Sequence, residues 1–172
     1  MTKFIFECID CKKEYLPADV EYLCPQCSKG QKQMEPLSGI LRCVYDYKNI
    51  AKKGLINSSS RWLEILPIEN INSIPPLATD NTPLRTVSNL RRVLGLNSLW
   101  IKDDTVQPTA SFKDRASAIV VACAKEKDRD TVATASTGNA ATALAGMAAS
   151  SGIKSVNFVP ESAPPAKLTQ IA

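Results

Sequence analysis

Residues 131–160 read TVATASTGNAATALAGMAASSGIKSVNFVP. TVATA (131–135) and KSVNFVP (154–160) are short runs rich in β-branched and aromatic residues, which suit strands. Between them NAATALAGMAASSG (139–152) is dense in alanine, with Gly152 placed as a C-terminal cap, which suits a helix. A strand, a helix and a strand in this order predict two parallel strands joined by a right-handed crossover.

The same rhythm extends outward. Upstream, SFKDRASAIVVACAKEK (111–127) predicts a helix, with Phe112, Ala116, Ile119, Val120 and Cys123 sharing its core face. LWIK (99–102) predicts a short buried strand, DDTVQPTA (103–110) a loop, and NLRRVLGL (89–96) a short amphipathic helix. Downstream, PPAKLTQIA (164–172) predicts a helix with prolines in its first turn, where they are tolerated. Alternating strands and helices predict an α/β fold with a doubly wound parallel sheet. The last helix has barely begun at Ala172, so a longer domain is expected, of which residues 76–172 are the N-terminal, truncated part.

Before residue 76 the pattern changes. Residues 1–37 carry FECIDCKKEY and YLCPQCSKG. Cys8 and Cys11 are separated by two residues, and so are Cys24 and Cys27. Two such knuckles present four thiolates to one tetrahedral zinc ion. Two disulfides are the alternative. So short a segment buries little core, so a metal would supply folding energy. Cys43 and Cys123 lie outside the pattern, and Cys123 falls on the apolar helix face. Residues 38–75 are mixed: LRCVYDY (41–47) alternates like a strand, NSSSR (57–61) breaks it, RWLEILPI (61–68) resumes an apolar period, and INSIPPLATDNTPL (71–84) is a loop. This stretch is expected to be a connector that packs on the neighbouring domain, residues 76–172.

The composition narrows the chemistry. The chain has 172 residues, 44% hydrophobic and 22% charged, with a net charge of +4. Its basic residues are scattered, which argues against a nucleic-acid surface. The most apolar stretch (133–152) is too polar to span a bilayer, and the N-terminus is not a signal peptide. A cytoplasmic location follows. Six cysteines and no histidine exclude Ser-His-Asp and Cys-His chemistry, leaving lysine, carboxylates, hydroxyls or a cofactor.

Ligands of parallel α/β sheets sit beyond the carboxyl ends of the strands, at helix N-termini. Two loops qualify. ASTGNAA (135–141) offers free N–H groups, two hydroxyls, the bare backbone of Gly138 and the amide of Asn139, which together suit a carboxylate. An ordinary N-cap made by Ser136 or Thr137 is the plain alternative. QPTASFKDRAS (107–117) places Lys113 in the first turn of its helix, beside Phe112, where an amine shielded from water suits Schiff-base chemistry. A surface charge is the plain alternative there. Asp114 and Arg115 read as structural, pairing with each other or capping the helix.

DNTPL (80–84), LWIKDDTVQPTASFKDRASA (99–118), ASTGNAATALA (135–145) and VNFVP (156–160), in this order and spacing, resemble the threonine synthase family. Its members have the tryptophan synthase β-like fold (fold type II) and use pyridoxal 5′-phosphate. The cysteine-rich start resembles the zinc-ribbon-like start of many members. The resemblance implies that Lys113 forms the internal aldimine with the cofactor, that Phe112 lies beside the cofactor ring, and that Asn139 contacts its 3′-oxygen. It implies that Ser136, Thr137, Gly138, Asn139 and Ala140 grip the substrate carboxylate, and it puts Lys102 near the substrate phosphate. The implied reaction is a carbon–oxygen lyase step on a phosphate: O-phosphohomoserine and water give L-threonine and phosphate, in an enzyme that is a homodimer at full length. The family's NPTGSFKDRG is QPTASFKDRA here, with Gln107, Ala110 and Ala116 as the departures. The family's phosphate loop and its partner for the pyridine nitrogen are absent from these residues, so the fragment alone is expected to be inactive. Threonine dehydratase, a cysteate synthase-like enzyme and a non-catalytic zinc-knuckle interaction fragment are the rival readings.

Overall fold

The computed structural model describes residues 2–53, 63–79 and 81–172. The expected break at NSSSR, the residues Arg61 and Trp62, and Asp80 lie outside them. The chain divides into two compact units, Met1–Pro67 and Ile68–Ala172.

The first unit is built on a three-stranded antiparallel sheet. Its central strand β1 (Phe4–Cys8) pairs with β2 (Glu14–Tyr15) on one side and β3 (Leu41–Tyr45) on the other. Leu41–Tyr45 was expected in the connector, and it belongs to the same sheet as Cys8. Phe4 is buried, with the rings of Phe6 and Tyr45 each 5.4 Å away. Helix α1 (Tyr47–Lys53) adds Ile50, and Val20, Cys8 and Cys24 complete the buried set among the described residues. That is a small core for a unit of this length, so packing alone holds it weakly.

The second unit opens with a 3₁₀ turn, Ile71–Ser73, fastened by one carboxylate. Glu126 accepts the N–H of Glu69 and Asn70 and the hydroxyl of Ser73 at 2.7–3.0 Å. Strands β4 (Leu84–Thr86) and β5 (Trp100–Lys102) then pair antiparallel around α2 (Ser88–Leu94), which ends at Gly95 in the left-handed conformation. Two expectations are corrected here. LWIK is neither buried nor part of the parallel sheet: β5 is exposed along its length, with Trp100 at 48%. Its indole is covered by the guanidinium of Arg91, 4.6 Å from the ring centroid, a partner nine residues away that no local pattern displays. Helix α2, expected to be amphipathic, buries none of its residues.

The rest follows the predicted order: α3 (Lys113–Glu126), β6 (Thr131–Ala135), α4 (Asn139–Ser150), β7 (Lys154–Phe158) and α5 (Pro165–Ile171). β6 and β7 pair parallel, from Thr131↔Lys154 to Ala135↔Phe158. Helix α4 ends at Ser150 with Ser151 as its cap, and Gly152 takes the left-handed φ of +68° just beyond. α5 starts on Pro165, as a proline at the first helical position should.

Helices α3 and α4 pack side by side around Val121, Leu144, Met147, Ala118, Ala148 and Val132. The face predicted for α3 is corrected. Its buried residues are Asp114, Ser117, Ala118, Val121, Ala122 and Ala124, while Phe112 is 61% and Val120 49% exposed. The run ASAIVVACA is apolar all round, so periodicity alone could not choose between two faces. The small residues of α4 decide it, because they let α3 approach. At Gly146 a Cβ would stand 3.2 Å from the methyl of Thr109, so the loop that precedes Lys113 rests on bare α4 backbone.

Candidate active site and metal centre

Lys113 is the first residue of α3, and three bonds set its turn. Its N–H donates to Ser111 Oγ at 3.1 Å. The carboxylate of Asp114, 1% exposed, accepts the Thr109 N–H at 2.8 Å and the Thr109 hydroxyl at 2.5 Å. Asp114 is thus structural, as expected, but it ties the loop rather than capping the helix. Asp114→Ala should cost roughly 3 kcal/mol, since it strands a buried N–H and removes two strong bonds. The urea midpoint of the variant measures it.

Arg115 points the other way. Its Nε and Nη2 grip both oxygens of Asp104 at 2.7 Å, and Nη2 also reaches the Thr82 hydroxyl at 3.0 Å. The Thr82 hydroxyl donates to Asp104 Oδ1 at 2.7 Å. Arg115 and Thr82 hold the Asp104 carboxyl well below the usual carboxylate range. Asp103 is lowered too, by the Thr105 hydroxyl and by Arg85. The Lys102 ammonium donates to the Thr82 carbonyl. Thr82, Lys102, Asp104 and Arg115 therefore form one polar cluster. Their shared presence in the sequence was visible; their mutual contact was not.

Ala110 carries a cost. It sits at φ +58° in the turn closed by its N–H to the Gln107 carbonyl at 2.7 Å. An L-residue pays about 1–2 kcal/mol there, partly offset because glycine loses more freedom on folding. Ala110→Gly should therefore stabilise the protein by about 0.5–1 kcal/mol. Calorimetry would register a rise of about 3 °C in the melting temperature.

The Lys113 ammonium lies 4.2 Å from the Phe112 ring centroid, half-buried. The 136–140 loop opens α4. Ser136 Oγ accepts the Gly138 N–H at 3.2 Å, and no side chain caps the helix. Among the described residues, no protein acceptor meets the N–H of Asn139 or Ala140. A Cβ added at Gly138 would touch nothing. The ordinary N-cap is therefore not what occupies this helix end, and open space lies beside free donors. Lys113 and Asn139 are the first residues of two packed helices. Free donors beside a bare glycine at the start of α4 suit an anion, and an amine at the start of α3 suits a carbonyl.

Residues 76–172 match the family described as pyridoxal-phosphate dependent enzymes. The chain belongs to that family. Pyridoxal phosphate is its cofactor, and the fold is the type II fold of these enzymes. The chain is 35% identical over 161 residues to a threonine synthase of Methanocaldococcus jannaschii, covering 90% of this chain and 37% of that protein. It is 34% identical over 159 residues to a threonine synthase of Methanosarcina acetivorans, covering 90% and 36%. A processed threonine deaminase from Solanum lycopersicum shares the fold with a TM-score of 0.51 at 23% identity, covering 73% of this chain and 31% of that one. The chain thus spans about a third of the length of the threonine synthases it matches. Among the described residues no helix is long and apolar enough to cross a membrane.

In the first unit the four predicted cysteines do converge. The sulfurs of Cys8, Cys11, Cys24 and Cys27 all lie within 4.8 Å of one another, with Cys8–Cys27 and Cys11–Cys24 at 3.8 Å. A tetrahedron with zinc–sulfur arms of about 2.3 Å has edges of about 3.8 Å. None of the six cysteines is in a disulfide. Each knuckle is a tight turn: Lys12 donates to the Cys8 carbonyl with φ +62°, and Ser28 donates twice to the Cys24 carbonyl. The Cys24 N–H donates to the Gly39 carbonyl at 2.7 Å, and a Cβ on Gly39 (φ +80°) would stand 3.1 Å from the Cys24 Cβ. Asp10 Oδ2 accepts the Gly39 N–H at 2.6 Å. The Tyr15 hydroxyl, 3.0 Å from Cys24 Sγ, pulls that thiol down to about 6. The Cys11 thiol and burial push Cys27 up to about 12. The four sulfurs fit a structural zinc ion.

Proposed function

We propose that the protein carrying this chain is a threonine synthase, converting O-phosphohomoserine and water to L-threonine and phosphate. One observation carries the reading. A match over 90% of the chain cannot be confined to the family region, so the likeness to the threonine synthases extends into the cysteine-bearing unit. The likeness to threonine deaminase supports the fold alone.

Bound pyridoxal phosphate would supply the electron sink for charge at the substrate's Cα. Lys113 Nζ would hold the cofactor covalently, and once freed would remove and return protons at the substrate carbons. The chain has no histidine, so within it this lysine takes the whole proton traffic. Phe112, with its ring beside Nζ, would flank the cofactor ring, and Asn139 would reach its 3′-oxygen. Ser136, Thr137, Gly138, Asn139 and Ala140 would bind the substrate carboxylate, the free N–H groups of Asn139 and Ala140 doing so directly. The rigid Asp114–Thr109 lock supports this assignment, since a lysine that must reach several carbons needs a fixed base.

The deciding assay offers O-phosphohomoserine to the intact, cofactor-loaded protein and follows phosphate and threonine. Equimolar release of both is expected. Ammonia from threonine, without phosphate release, would replace this reading by the dehydratase. Neither product would leave the interaction-fragment reading standing.

A further inference from the structure

Tyr15 is placed by the sheet. Strand β2 is only two residues long, and its register, Phe6↔Tyr15, pins the tyrosine opposite the strand that delivers Cys8. Its hydroxyl lies 3.0 Å from Cys24 Sγ, nine residues further along. Cys24 is fully buried and held at its backbone between the Gly39 carbonyl and the donors of Ser28. A thiolate on a metal carries no proton, so in that state the hydroxyl can only donate.

We propose that Tyr15 is a positioning residue of the tetrathiolate centre, its hydroxyl donating a hydrogen bond to the metal-bound thiolate of Cys24. The bond orients the sulfur and draws charge from it. Groups of this kind, one shell out from the metal, raise affinity and set ligand reactivity. The thiolate that accepts the bond is a weaker nucleophile, so electrophiles and oxidants reach the centre through exposed Cys11 first. The inference rests on the zinc reading and stands apart from the proposed reaction.

The test compares the intact, zinc-loaded protein with its Tyr15→Phe variant. Iodoacetamide alkylation is followed cysteine by cysteine by peptide mass mapping, and zinc is titrated against a chromophoric chelator. Loss of the hydroxyl should speed alkylation of Cys24 several-fold, leave Cys11 unchanged, and weaken zinc binding about tenfold. A second variant moves the bond the other way: 3,5-difluorotyrosine at position 15 is a stronger donor of nearly the same shape and should slow Cys24 alkylation. Equal Cys24 rates in all three proteins would overturn the proposal. So would a uniform acceleration at all four cysteines, which marks general loosening, or a wild-type protein that takes up no stoichiometric zinc.

Discussion

Lys113→Ala is expected to lower turnover of the intact protein by roughly a thousandfold or more, since one side chain is assigned both the covalent and the proton-transfer roles. The fold should not notice. The side chain is half-buried and its amine rests on the Phe112 ring, while the bond that sets the turn comes from the backbone N–H to Ser111. Alanine is also the better helix former. An unchanged melting temperature beside lost turnover would separate chemistry from stability. Borohydride treatment of the cofactor-loaded wild type should fix the cofactor on the peptide containing Lys113 and on no other. Label on a different lysine, or turnover surviving in the alanine variant, would refute the assignment.

The second large effect concerns the thiolates. Cys8→Ser, or removal of metal by a strong chelator, is expected to unfold the cysteine-bearing unit. Its described core is Phe4, Val20, Ile50 and two of the cysteines themselves, too little to offset the entropy of ordering the chain. A structural zinc contributes about 10–16 kcal/mol of apparent binding energy at neutral pH. Hydrogen exchange reports this directly. The N–H groups of Cys8, Lys12 and Cys24, bonded to Lys13, Cys8 and Gly39, should lose protection without metal. Protection that persists in the metal-free protein would show that the sheet holds the unit unaided.

Much of this was legible in the chain. The β6–α4–β7 unit follows from composition and punctuation, because a strand-rich run, an alanine-rich run and a glycine stop each state a local preference. The cysteine tetrad follows from spacing, because a knuckle is a local turn. What escaped was set by partners distant in sequence. The core face of α3 depends on which side meets α4, and its apolar run offered two. Trp100 looked like core because nothing local announces that Arg91 will cover it. Asp114 looked like a cap, and its bond to Thr109 appears only once the QPTA turn folds back. Tyr15 carried no signal at all until β2 paired with β1.

The contact at Gly146 has a practical side. The loop before Lys113 leans on this residue through Thr109, and Thr109 is bolted to the first turn of α3 by Asp114. A single methyl at position 146 would press on that loop and on the turn that carries Lys113. For the role proposed for Lys113, position 146 is a remote tuning screw, one that a search restricted to the proposed site residues would never turn.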